Sequence, residues 1–403
     1  MVMENIFYIR NVQPDSIYDV IEEIGFDSCY IDNVVNKYDF KLIKIHNLSS
    51  PQAIIIKQIA LSCGADAAVH REVIVCKIDN SDILLGCTKS QLKNIINKLS
   101  HQPFGLNKLS KQLELFLGQN MQNSLRIRNK SFNWGERTYI MGVLNITPDS
   151  FSDGGKYLSE EDAFLHAMRL IDEGEDVIDI GGESTRPFSN EVSPEIELER
   201  VVPVINKIRE NNRDIVISID TRHSVVAAEA IKAGADIIND ISALTFDSDM
   251  ISVAKELNVP IILMHSLATP DKMQLNPEYS GNIVDEIFKY LFDRVQMVLN
   301  AGIKQENIII DPGVGFGKTI EHNFEIINRI NEFKSLPYPL LVGISRKSFL
   351  SKTLNLPLNE LEQANLAVNS YLCSRGVDII RVHDVKQHHS AITMLDNILK
   401  KHG

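Results

Sequence analysis

Eight short apolar runs in residues 136–403 each lead into polar residues able to bind or polarise a ligand. The first ends at Asn145, the second runs on to Thr185-Arg186, the third ends at Asp220-Thr221 and the fourth at Asn239-Asp240. The fifth ends at Met264-His265, the sixth at Asp311, the seventh enters Ser345-Arg346-Lys347-Ser348, and the eighth closes on Arg381-Val382-His383-Asp384. Any one of these has a plain explanation, because a following helix favours Asp, Asn or Ser at its N-cap. That reading is kept for Asp240 and Asp384. Eight in succession exceed what capping requires. Asp220, Asn239, Asp311 and Lys347 suit a flat heterocycle with several donors and acceptors. Arg186, Arg381 and His383 suit a polyanion such as a diphosphate. Arg381 and His383 are two apart in an extended run, so they share a face. Asn145 offers an oxygen to Mg²⁺, an ion that keeps several waters and shares phosphate oxygens.

Gly313-Val-Gly-Phe-Gly-Lys318-Thr319 imitates a phosphate loop. The pattern requires glycine where Pro312 stands, and the dinucleotide version requires it where Lys318 stands. The segment therefore reads as a glycine-rich connection.

The runs that carry the polar ends read as strands at 139–144, 177–180, 215–219, 236–238, 260–264, 307–310, 340–343 and 378–382. Helical patterns separate them, at 161–173, 194–211, 224–233, 282–301 and 361–375, with a last helix over 385–400. The strands lack apolar–polar alternation, as expected when both faces are buried. Eight βα units in about 265 residues predict a closed (β/α)8 TIM barrel rather than a doubly wound open sheet, with the site at the C-terminal strand ends.

The first part reads as a small α+β domain over 1–125. It has helices at 16–24, 52–62 and 89–99, and strands at 72–78 and 82–86. It shows no catalytic cluster. The polar run 118–130 marks a boundary, and 126–135 is taken as a linker. Charge changes there too: residues 1–130 hold 15 Lys+Arg against 13 Asp+Glu, so the remainder carries −14 and the whole chain −12. That balance argues against a nucleic-acid scaffold. With 44% hydrophobic and 23% charged residues the chain is ordinary and globular. No apolar stretch is long enough to span a membrane and no signal peptide is evident, so the expected location is cytoplasmic. Five scattered cysteines, none in Cys-x-x-Cys, fit reduced thiols rather than a disulfide or zinc framework.

The segments at 141–155 (MGVLNITPDSFSDGG), 179–187 (DIGGESTRP), 219–221 (IDT), 239–241 (NDI), 311–318 (DPGVGFGK), 345–348 (SRKS) and 381–384 (RVHD), in this order, resemble the signature of the dihydropteroate synthase family. The resemblance covers about residues 136–403. It implies a transferase of folate biosynthesis that joins 4-aminobenzoate to (7,8-dihydropterin-6-yl)methyl diphosphate with the help of Mg²⁺. By the same resemblance Asn145 binds Mg²⁺, and Thr185, Asp220, Asn239, Asp311 and Lys347 contact the pterin. Arg381 and His383 hold the diphosphate, with Arg186 nearby. Phe151, Pro187, Phe316 and Ser348 line the 4-aminobenzoate site, where sulfonamides also bind in the family. Asp220, Lys347, Arg381 and His383 would carry the catalysis, along an SN1-like path. Family members are commonly homodimers. Leu267 and Ala268 depart from the family pattern, as do Phe188 and residues 361–365. The first 125 residues resemble, more weakly, the extension of a long form of the synthase, and not a fused pyrophosphokinase. Two other readings share the pterin site: a pterin-dependent methyltransferase domain and a pterin-binding protein without turnover.

Overall fold

The computed structural model describes residues 9–118, 124–147, 160–184, 191–269, 273–274 and 277–399. The chain divides into two compact units, Met1–Gln119 and Asn120–Gly403.

The first unit contains α1 (Ile17–Glu23), α2 (Ile31–Val35), β1 (Phe40–Ser49), α3 (Ser50–Ser62), β2 (Asp66–Val69), β3 (Asn80–Thr88), α4 (Lys89–Ser100) and α5 (Leu106–Gly118). Its sheet runs β1-β3-β2, antiparallel throughout. In β3 the side chains of Ser81, Ile83, Leu85 and Cys87 are buried while those between them are not. This two-residue period turns one face into a core with Ala53, Ile56, Leu92 and Ile95 of α3 and α4. Capping boxes start both helices, Ser49 with Gln52 and Thr88 with Gln91. The strand expected at 72–78 is not present. Val73–Val75 form a single 3-10 turn, closed by Cys76 at φ 51°. Only Val73 of that β-branched run is buried, so strand propensity had no packed surface to act on.

The second unit opens with a hairpin, β4 (Ser124–Ile127) and β5 (Lys130–Asn133). The barrel strands follow: β6 (Tyr139–Asn145), β7 (Val177–Gly181), β8 (Val216–Asp220), β9 (Ile237–Asp240), β10 (Ile261–Met264), β11 (Ile308–Asp311), β12 (Leu341–Gly343) and β13 (Ile379–Val382). The helices are α6 (Glu160–Asp172), α7 (Pro194–Asn211), α8 (Ser224–Ala233), α9 (Met250–Leu257), α10 (Ile283–Asn300), α11 (Ile320–Asn328), α12 (Ser348–Leu354), α13 (Glu362–Ser374) and α14 (Val385–Leu399). The strands pair in parallel in the order β11-β10-β9-β8-β7-β6-β13-β12, and a parallel bridge from Ile310 to Leu340 closes the ring. This is the expected (β/α)8 barrel. Outward residues such as Ile178, Ile217 and Ile238 pack against the helices.

Inward residues form layers, and these layers position the site. Val177, Val216, Ile237, Ile262, Ile309, Leu341 and Ile379 share one apolar cluster with Met141. The same cluster contains Leu125, Ile127, Phe132 and Trp134, so the hairpin stops the barrel at the N-terminal end of its strands. This corrects the linker expected at 126–135. The polar composition there belongs to the hairpin's outer face: the burial of β4 alternates, with Leu125 and Ile127 inside. Two residues further along the same strand faces lie Asp179, Ser218, Asn239, Met264, Asp311 and Arg381, because side chains repeat with period two. Asp220 and His383 stand one step higher. An apolar floor thus carries a polar layer, with no water-filled space needed between them.

Glu175, just before β7, is a buried acid outside this layer. Neither carboxylate oxygen has a hydrogen-bond partner, and a Cβ at Gly142 would overlap the carboxyl group. Burial raises its pKa well above the usual range, only partly offset by Lys130. A raised folded-state pKa means that stability is full below the unfolded value and is lost as pH rises. Glu175→Gln removes that loss. Its melting temperature is expected to match the wild type near pH 4 and to exceed it at pH 8, by about 2–4 °C per kcal/mol recovered. An equal shift at both pH values would show that the carboxyl's charge is not the cause.

Candidate active site

Arg381 organises the barrel mouth. From β13 it reaches past β6, donating from Nε to Asp179 Oδ2 at 2.6 Å and from an Nη to Asp220 Oδ2 at 2.8 Å. Asp179 also accepts from Asn239 Nδ2 at 3.1 Å. Four strands are therefore tied together by one guanidinium, two carboxylates and an amide. Burial opposes the charge on Arg381, but Asp179 and Asp220 prevail and raise its pKa further. For Asp220 burial prevails: its pKa is raised, with Asp179 adding to the rise and Arg381 working against it. Its carboxylate charge is thus costly in the closed barrel and available to a partner that carries positive charge.

Asp311 ends β11 and accepts from the Gly313 N–H at 2.7 Å. Burial pushes its pKa up to about 6, against that bond and the nearby Lys347. Lys347 is pushed down to about 7, first by burial and then by Arg381, with Asp311 and Asp220 opposing. Its ammonium lies 3.7 Å from the centroid of the Phe316 ring. Gly315 has φ 86°, and a Cβ there would sit 2.9 Å from Lys347 Cδ, so glycine opens the path for the lysine stem. Phe316 packs with Ile241, Met264 and Met273. Lys347 is the N-cap residue of α12 and Ser348 its first helical residue. His383 Nδ1 lies 3.0 Å from Ser345 Oγ on the neighbouring strand end. Asn145 ends β6 beside Gly181, where a Cβ would lie 3.4 Å from Asn145 Oδ1 and 3.5 Å from Asp220 Cβ. The missing side chain leaves a cradle between them.

The structure therefore gathers Asn145, Asp220, Asn239, Asp311, Phe316, Lys347, Ser348, Arg381 and His383 at the C-terminal end of one barrel. Phe151, Thr185, Arg186 and Pro187 lie outside the described residues, as does Phe188. Asp240 has a local structural role, but not at a helix start: it accepts from the Ser242 and Leu244 amides of the turn after β9, while α9 begins only at Met250 with Asp249 as its N-cap residue. Asp384 is a cap, as expected: it accepts from the Gln387 amide at the start of α14. The glycine-rich segment is not a phosphate cradle. Lys318 is turned inward, donating to the Gly313 and Phe316 carbonyls and lying 3.0 Å from His265 Nδ1. Burial pushes it down to about 7 and keeps His265 neutral, well below its usual pKa.

Asp179 was missed in the sequence. Its signal was a carboxylate two residues after Val177 in an otherwise apolar strand, on the face that points into the barrel. A charge there requires a partner.

Comparison with known proteins agrees with this geometry. The family model described as "Pterin binding enzyme" matches residues 141–383. A dihydropteroate synthase from Clostridium beijerinckii is 46% identical over 278 residues, which are 69% of this chain and 100% of that one. The crystal structure of a dihydropteroate synthase from Clostridium difficile, solved in the presence of pteroic acid, superposes with a TM-score of 0.63 at 42% identity, covering 67% of this chain and 100% of that one. A probable bifunctional folylpolyglutamate synthase/dihydropteroate synthase from Haloferax volcanii is 35% identical over 354 residues, 85% of this chain and 41% of that one. That match exceeds the whole of the second unit, so it takes in part of the first. From its closed barrel, its polar mouth and these relatives, the chain belongs to the dihydropteroate synthase family of pterin-binding enzymes.

Proposed function

We propose that this chain condenses 4-aminobenzoate with (7,8-dihydropterin-6-yl)methyl diphosphate, giving 7,8-dihydropteroate and diphosphate. The observation that carries the reading is the pair of polar sets at the barrel mouth. Asp311, Asn239 and Lys347 present the acceptors and donors that a pterin edge requires. Arg381 and His383 stand beside them, where a phosphate ester on the pterin's methyl group would reach. A guanidinium has five N–H donors, and its bonds to Asp179 and Asp220 use two of them.

4-Aminobenzoate is a weak nucleophile, because its amine lone pair is delocalised into the ring. The electrophile must be strong. Arg381 and His383, with Arg186, would take up charge as the C–O bond breaks and its electron pair leaves with the diphosphate. Asp220 would stabilise the positive charge left on the pterin-methyl group. The amine then forms the C–N bond and releases a proton to water. Phe316 offers an apolar wall for the aromatic ring, and Ser348 the first turn of α12 for the carboxylate; by the family resemblance Phe151 and Pro187 would join them.

Mg²⁺ fits the donor set. Asn145 offers one neutral oxygen at the mouth, and among the described residues no three His, Cys, Asp or Glu gather as a metal cage. An ion held largely by water and phosphate oxygens needs no such cage. When bound, it would neutralise charge on the diphosphate. We also propose a homodimer, checked by light scattering on the full chain, and a cytoplasmic location, which suits the free cysteines. Among the described residues no helix is long and apolar enough to cross a membrane.

The test is direct. Protein, Mg²⁺, 4-aminobenzoate and the pterin diphosphate are mixed, and dihydropteroate is measured. Its formation supports the reading. Clean substrate binding without product would overturn it.

A further inference from the structure

Residues 312–319 connect β11 to α11 in no helix or strand, so their backbone groups need other partners. Side chains supply them. Lys318, only 3% exposed, turns back under its own loop. Its amine donates to the Gly313 carbonyl at 2.8 Å and to the Phe316 carbonyl at 2.9 Å. The same nitrogen lies 3.0 Å from His265 Nδ1, just after β10. Burial keeps His265 neutral, so with the ring proton on Nε2 its Nδ1 accepts the third N–H of an ammonium. An uncharged amine would still keep two N–H for the two carbonyls. The other groups of the loop are held as well. Asn323 Oδ1 accepts the Gly315 N–H at 2.6 Å, Gln274 donates to the Gly315 carbonyl at 2.8 Å, and the Tyr279 hydroxyl donates to the Gly317 carbonyl at 2.8 Å. A Cβ at Gly313 would overlap the His265 carbonyl, so the loop is pressed against the end of β10.

Burying an amine is costly, and an apolar side chain would fill the same space without that cost. What the amine adds is a fixed loop. The two carbonyls that it holds bracket residues 314–316. Phe316 carries the ring that packs on Ile241, Met264 and Met273 and lies against the Lys347 ammonium. Lys318 and Tyr279 have no role in the mechanism above. We infer that they are positioning residues: they hold the loop 313–317 so that the Phe316 ring stands where the aryl amine binds, and thereby set the affinity for 4-aminobenzoate. The inference rests on the synthase reading above.

Steady-state kinetics on the full chain test it. Lys318→Met keeps an unbranched side chain and removes every donor. It is expected to raise KM for 4-aminobenzoate by about tenfold or more, with a smaller change in kcat, since small misplacements of binding groups are costly. Binding of 6-hydroxymethyl-7,8-dihydropterin, which lacks the aryl amine, should be nearly unchanged. A double-mutant cycle separates positioning from general loosening. In a Phe316→Ala background, which already lacks the ring, Lys318→Met should raise KM little further. An undiminished further rise overturns the inference. So does an unchanged KM in Lys318→Met itself, or a parallel loss of pterin binding. If Lys318→Met does not fold, Tyr279→Phe decides, because it keeps the ring contacts with His265 and His322 and removes only the donor to Gly317. Its KM for 4-aminobenzoate should rise beside an intact Phe316 and not in the Phe316→Ala background; an unchanged KM beside Phe316 overturns the inference. Wild-type protein that binds the pterin alcohol yet makes no dihydropteroate would defeat the synthase reading, whereas an active wild type with unmoved variants defeats the positioning role alone.

Discussion

Asp220→Asn is expected to lower kcat by about 10²–10³-fold, the scale of losing one preorganised electrostatic contact to a developing charge. The variant keeps the shape of the side chain and can still meet the Arg381 N–H. It removes only the negative charge. If the step passes through a cation-like pterin methyl, that charge is worth most in the transition state, so kcat should fall far more than KM rises. The pH profile gives a second readout. Burial raises the Asp220 pKa, and the carboxylate is the form that stabilises a cation. The wild-type kcat/KM should therefore fall as pH drops through a value above the ordinary carboxylate range, and the variant should lack that limb. Near-normal turnover in Asp220→Asn would remove Asp220 from the mechanism.

This prediction depends on register, and register explains which parts of the site were legible in sequence. The eight apolar runs were plain because a parallel barrel buries both strand faces, and all eight fall where expected. The polar strand ends followed from the same runs. Asp179 did not. It sits one step below the strand end and reads as an interruption in VIDIG until the two-residue period from Val177 places it inside. The hairpin at 124–133 was hidden for a related reason. Short strands with a polar outer face look like a linker, and only their packing on Val177, Val216 and their neighbours makes them the floor of the barrel. In the first unit, β1 and β2 went unread, while the Val-Ile-Val run at 73–75 drew a strand that tertiary structure does not use. Local propensity was followed where long-range pairing decided the outcome.

The same buried layer gives the second large effect. Arg381→Ala leaves Asp179 and Asp220, at 0% and 6% exposure, without their cation. Removing one partner of a buried ion pair typically costs about 3–5 kcal/mol. For a unit of this size that is a fall in melting temperature of roughly 10 °C. Turnover should fall below detection, because in the proposed reaction the same guanidinium would hold the diphosphate. The pH dependence separates an electrostatic cause from a packing cause. Without Arg381, Asp220 loses the charge that works against the rise of its pKa, so its folded-state value rises further. Stability is then present at low pH, where its carboxyl is neutral, and is lost as pH climbs through the raised value. The gap between variant and wild type should therefore be small near pH 5 and widen toward pH 8 in thermal unfolding. A pH-independent gap would mean that Arg381 acts as a filler of space. Arg381→Lys sharpens the point. One ammonium cannot reproduce two directed bonds from a planar fork, so stability should return more fully than turnover. If turnover returned as well, charge alone, and not the fork held between β7 and β8, would be what the mouth of this barrel requires.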